Sequence, residues 1–129
     1  ALPCFHMSGT QTGIVAIPPI GAGVWVEFEQ GNPDYPVWTG CFAGSAAEMP
    51  ALSLTATPPI ASITLQTPLQ NGLIVSDLPG PTGGIMLKSA SGASIIVNDT
   101  GIYIQNGRGA SIVMTGPTVT INNGALVIT

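Results

Sequence analysis

Between Ala61 and Thr129 the chain alternates: short segments with an apolar residue at every second position are closed, one after another, by Gly or Asn-Gly turns. Glycines at Gly92, Gly101, Gly109, Gly116 and Gly124 return every seven to nine residues. A period that short leaves room for a strand of about five residues and a tight corner, and not for strands of average length joined by loops. At period two the segments present paired apolar teeth, Ile95 and Val97, Ile102 and Ile104, Ile112 and Met114, Val119 and Ile121. The positions assigned to the other side, Ser94, Asn98, Gln105, Thr118, Thr120 and Asn122, carry short polar side chains. This pattern predicts a β-helix or solenoid. A narrow ladder of that kind cannot cover its own apolar stripe and needs neighbours from other chains.

The first part of the chain is patterned differently. Phe5, Trp25, Phe28, Tyr35, Trp38 and Phe42 all fall within residues 1–44, leaving Tyr103 as the one later ring. Aromatic density of that order can close a small core of its own. Strands are expected at Gly13 to Ile17, at Gly23 to Gln30, where Val24, Val26 and Phe28 alternate with Trp25, Glu27 and Glu29, and at Pro36 to Ala43. The turn residues Gly31, Asn32, Pro33 and Asp34 between the last two predict an antiparallel pair. Residues 45–60 lose periodicity and gain small residues and proline, so the chain divides into a head, 1–44, a linker, 45–60, and a ladder, 61–129. Met49, Leu52 and Leu54 give the linker something to pack with.

Composition narrows the function. Gly 17 and Pro 12 in 129 residues favour turns and strands over helix, and no segment carries helical periodicity with caps. Charged residues are 6% of the chain, two Lys and Arg against six Asp and Glu, and the net charge of −4 argues against nucleic acid, which requires clustered cations. No apolar run approaches the ~20 residues of a membrane-spanning helix, and the segments fall short of the roughly nine to eleven residues of a membrane-barrel strand. Cys4 and Cys41 allow one disulfide, but without a secretory context they read as two small buried thiols in a β core. Together with the single His6 they form no metal constellation. Glu27 and Glu29, two apart on a strand, would share a face and could in principle pair as catalytic carboxylates; a solvated strand face at a barrel exterior or subunit seam is the favoured reading. One histidine without supporting spacing offers no nucleophilic triad, so no enzymatic activity is expected.

The run from Pro19 to Gly40, with Gly21, Gly23, Trp25, Phe28, Gly31, Pro36, Trp38 and Gly40 at its fixed points, resembles the OB-fold signature of central spike proteins from contractile tails. These are the phage baseplate assembly protein V group and the related valine-glycine-repeat spike of type VI secretion. Ala1-Leu2-Pro3 is similar to an early segment of the family's barrel, and the ladder is similar to its triple-stranded β-helix. The resemblance implies an all-β chain: an N-terminal OB-fold barrel, incomplete because the strand that usually precedes Ala-Leu-Pro is missing, followed by an intertwined trimeric β-helix. Some relatives insert a lysozyme domain, for which residues 45–60 leave no room. Others end in a His-x-His apex holding iron; Ala125-Leu126-Val127-Ile128-Thr129 has no such motif, so no metal or other cofactor is expected in this chain.

On that footing, one strand from each of three chains per layer would build a triangular prism with Ile95, Val97, Ile102, Ile104, Ile112, Met114, Val119 and Ile121 on the shared axis. Each buried Ile or Val contributes about 1.5–3 kcal/mol. Eight or so strands at ~4.8 Å would give a shaft of roughly 40 Å, longer than the ~30 Å hydrocarbon core of a bilayer. The resemblance thus implies a homotrimeric envelope-piercing spike at the tip of a phage tail baseplate or equivalent particle. Its head would dock to the tail tube or baseplate hub, a further protein could cap its tip, and contact with the bacterial outer membrane would be transient. Two other classes fit less well: a β-helical receptor- or carbohydrate-binding tail protein, which would want more exposed rings than Tyr103, and an OB-fold oligonucleotide binder stacking bases on Trp25 and Trp38.

Overall fold

The computed structural model describes residues 1–129 and is all-β, its only helical pieces being 3-10 turns of three to five residues. The chain forms two compact units, Ala1–Glu48 and Met49–Thr129.

In the first unit, Leu2–Pro3 (β1) pairs parallel with Pro36–Phe42 (β5), and β5 pairs antiparallel with Gly23–Phe28 (β4), giving an open three-stranded sheet in the order β1-β5-β4. Ser8–Gly9 (β2) and Thr12–Gly13 (β3) form a separate small hairpin. The pairing of β4 with β5 slips at Trp25/Val26, where Trp25 faces Gly40 but Val26 faces Trp38, so Thr39 is the extra residue of a bulge. The expected turn between these strands is present and starts earlier: Glu29–Gly31 coils as a 3-10 turn, and Asn32 Oδ1 accepts the Asp34 amide at 3.0 Å. The strand expected at Gly13 to Ile17 stops at Gly13. Beyond Ile14, whose amide donates to the Met7 carbonyl at 2.9 Å, the backbone finds no ladder partner, and Pro18 and Pro19 supply no donors.

The second unit is a meander. Ser62–Gln66 (β6), Gly72–Ser76 (β7), Gly84–Lys88 (β8), Ser94–Asn98 (β9), Gly101–Gln105 (β10), Ser111–Thr115 (β11), Thr118–Ile121 (β12) and Leu126–Ile128 (β13) pair in strict sequence order as one open eight-stranded sheet. Every adjacent pair is antiparallel and in register. The backbone hydrogen bonds between neighbouring strands are therefore met inside one chain, and only the outer edges of β6 and β13 are left without a strand partner. At ~4.8 Å per strand the sheet measures about 34 Å from β6 to β13.

Tight packing of turns on strands explains some of the glycines. Gly84 opens β8 at φ +81, and a Cβ there would run into the Val97 carbonyl across the ladder.

Residues 45–60 are shared between the two units. Ala46–Glu48 closes the first unit, with Glu48 Oε2 accepting the Gly44 amide at 2.7 Å, whereas the 3-10 turn Ala51–Thr55 packs on β6 and β7. There Gln66 Oε1 accepts the Leu52 amide at 3.0 Å, and Leu52 lies so close over Gly72 that a Cβ on that glycine would come within 2.8 Å of its methyl. Leu52, Ala56 and Ile74 are the buried apolar residues of the whole chain, and no side chain is fully enclosed.

Candidate functional site

Strand register assigns every residue of the meander to one of two faces. Along one of them run Ile63 and Leu65, Leu73 and Val75, Ile85 and Leu87, Ile95 and Val97, Ile102 and Ile104, Ile112 and Met114, Val119 and Ile121, Leu126 and Ile128. All eight positions read from the sequence as teeth lie here, cross-strand neighbours of one another: Ile104 faces both Ile95 and Ile112, and Met114 faces both Ile102 and Val119. The alternation found them because two-residue teeth repeat strand after strand. It missed the same pattern in β6 to β8 and β13, where the segments are separated by longer or less regular connections.

No position on this face is polar, yet within one chain it is open. Ile63 keeps 70% of its surface, Leu87 49% and Ile95 42%. Side chains of this size each contribute about 1.5–3 kcal/mol when removed from water, so the uncovered face represents more apolar driving force than the three buried residues of the chain supply.

The opposite face is not the uniformly polar surface the sequence suggested. Ile74, Met86, Ile96, Tyr103 and Val113 form a central column, in register from β7 to β11. Polar rows flank it: Gln105 Nε2 donates to Ser94 Oγ at 3.0 Å, and Ser94 is 9% exposed. Asn98 ties two turns together, its Nδ2 donating to the Pro81 carbonyl at 3.2 Å while its Oδ1 accepts from the Thr100 amide at 3.0 Å. Asn122 Oδ1 accepts the Ser111 amide at 3.1 Å. Thr118 and Thr120 are half-buried. The cause of the mixed face is the twofold period itself, which sends Ile96, Tyr103 and Val113 away from the teeth whatever their polarity.

In the first unit the eight signature residues gather on and beside β4 and β5. Gly23 faces Phe42, whose ring lies where a Cβ would sit, at 2.7 Å, and Trp25 leans on the same ring with centroids 5.3 Å apart. Trp38 meets Phe5 edge to face at 6.1 Å. Phe28 faces Pro36 at the end of the ladder, and Gly40 faces Trp25 beside the bulge. Gly21 and Gly31 take left-handed backbone at the turns before and after β4, with φ +92 and +73. No residue of this unit is buried, and Trp25 remains 64% exposed despite its contact with Phe42.

Two expectations for the head are corrected. Cys4 and Cys41 are free and exposed, not buried thiols, because an open three-stranded sheet provides no interior for them. Glu27 and Glu29 do not share a strand face: β4 ends at Phe28, and Glu29 begins the 3-10 turn with its amide donating to the Tyr35 carbonyl at 3.0 Å.

No three His, Cys, Asp or Glu side chains converge as a metal site would require, and no helix is long and apolar enough to cross a membrane. The arrangement offers an extended apolar contact surface.

Comparison with known proteins adds to this geometry. Residues 62–127, the meander, match the family described as phage baseplate V C-terminal trimerisation domain. Residues 1–42 match the family described as type VI secretion system/phage-baseplate injector OB domain. No curated protein matches the chain.

Proposed function

The chain belongs to the phage baseplate V family, and from that premise we propose that it is the homotrimeric spike that a contractile tail drives through the bacterial outer envelope. Its place is the phage tail baseplate or a related injection particle, and its families are structural domains. In the proposed assembly the apolar faces of three sheets meet on one axis, with Ile95, Val97, Ile102, Ile104, Ile112, Met114, Val119 and Ile121 in the core. The OB unit forms the collar that docks to the tail tube or hub. The shaft needs no bound cofactor, and thrust comes from the sheath.

The observation that carries this reading is the uninterrupted apolar face of the eight-stranded sheet. Three such faces brought together become a dry core, and what remains outside is an apolar column flanked by polar rows and almost without charge. Lys88, Arg108, Asp77 and Asp99 are the charged side chains of the unit, so little desolvation opposes the entry of the shaft into lipid. The ~34 Å sheet exceeds the ~30 Å hydrocarbon core it would have to cross.

Piercing is tested with intact particles and dye-loaded vesicles of outer-membrane lipid. Contraction triggered on the vesicle surface is expected to release dye and to leave the chain protected from added protease. Contraction that leaves the dye inside and the chain fully digestible would refute the piercing role.

A further inference from the structure

The four charges of the meander are sorted by side. β8 ends at Lys88 on one lateral margin, and the turn 106–110, which carries Arg108, lies on that same margin two strands further along. Asp77 follows β7 and Asp99 follows β9 on the opposite margin. Five-residue strands of ~17 Å separate the two margins, so these acids and bases face outward from opposite sides of one sheet. Arg108, Asp77 and Asp99 are exposed and Lys88 is half-exposed.

The order along the ladder is matched as well. The acids follow β7 and β9, Lys88 ends β8 and Arg108 follows β10, so each base sits one strand beyond its acid. A single axial offset of ~4.8 Å therefore aligns both pairs. Over a ~17 Å strand that offset corresponds to a tilt of about 16°.

A second feature lies on the basic margin. Leu87, Ile95, Ile104 and Ile112, with the small Ala93 and Ala110 beyond them, line an apolar groove of about 500 Å³ on the apolar face. The alanines leave the space that a larger residue in those turns would fill.

We propose that the basic margin of each chain receives the acidic margin of the next copy around the threefold axis. Lys88 and Arg108 then reach Asp77 and Asp99 of that copy, whose adjoining apolar row enters the groove. This rests on the trimeric reading above and specifies it: charge sorting permits cyclic head-to-tail closure and opposes pairing of like margins, which a twofold arrangement would require. The pairs select register and closure; the apolar faces supply most of the cohesion.

The test is refolding of the full chain at about 0.02 M and about 1 M salt, read by native mass, for three proteins: wild type, the double variant K88E/R108E, and the swapped variant K88E/R108E/D77K/D99K. The double variant is expected to lose roughly tenfold in trimer yield at low salt and to regain most of it at high salt, where repulsion is screened. The swapped variant is expected to refold as wild type does at both. If the double variant matches wild type at low salt, or the swapped variant fails where the double variant fails, the margin pairing is wrong while a trimeric wild type leaves the spike reading intact. A wild type that refolds as a monomer overturns both.

Discussion

Single residues of the meander show how little freedom a five-residue strand with a tight corner leaves. Gly84 combines a left-handed φ with contact to the Val97 carbonyl, so a side chain there meets both backbone strain and a clash. Gly84→Ala is expected to cost about 2–3 kcal/mol of stability, seen as a lower unfolding midpoint in denaturant. Gly92, also at positive φ but with open space where its Cβ would lie, carries the strain without the clash, and Gly92→Ala should cost about half as much. The glycine period was legible in the sequence; which glycines are sterically obligatory was not, because that depends on the strand lying alongside.

At the scale of the strand, parity decides the role of each side chain. Ile104 has Ile95 and Ile112 across the ladder on the apolar face, while exposed Thr115 belongs to the other face. Ile104→Asn is expected to cost about 2–4 kcal/mol per chain and to abolish assembly at micromolar concentration, whereas Thr115→Asn should stay within about 0.5 kcal/mol of wild type in the same thermal unfolding and native-mass measurements. Equal loss from both would mean that parity does not set the interface. The teeth of β9 to β12 could be read directly, since alternation at fixed spacing is local information. The column Ile74, Met86, Ile96, Tyr103 and Val113 could not, because the eye assigns the best apolar pairs to one side and leaves the other to polar residues. Nor could the docking of Leu52 over Gly72, which joins a segment without periodicity to strands that follow it. In the head, the turn chemistry at Asn32 and Asp34 was readable, while the early end of the strand at Gly13 reflects the absence of a ladder partner, a tertiary fact.

The whole molecule is organised around the surface it leaves uncovered. Leu52, Ala56 and Ile74 make too small an interior to offset the ordering of 129 residues, each of which costs about 1–2 kcal/mol in backbone entropy. The missing stabilisation lies on the apolar face, which the meander presents as one continuous strip because its eight strands pair in sequence order and in register. Membership in a family with a C-terminal trimerisation domain and the sorted charges of the two margins both fit three identical sheets closing on that strip. Native mass spectrometry of the intact chain at micromolar concentration tests this most directly. A 13.0 kDa polypeptide should appear as a particle of three copies, about 39 kDa, with no folded monomer beside it. A compact, cooperatively unfolding species of 13.0 kDa would contradict the account, since such a chain would have covered its apolar face without a partner.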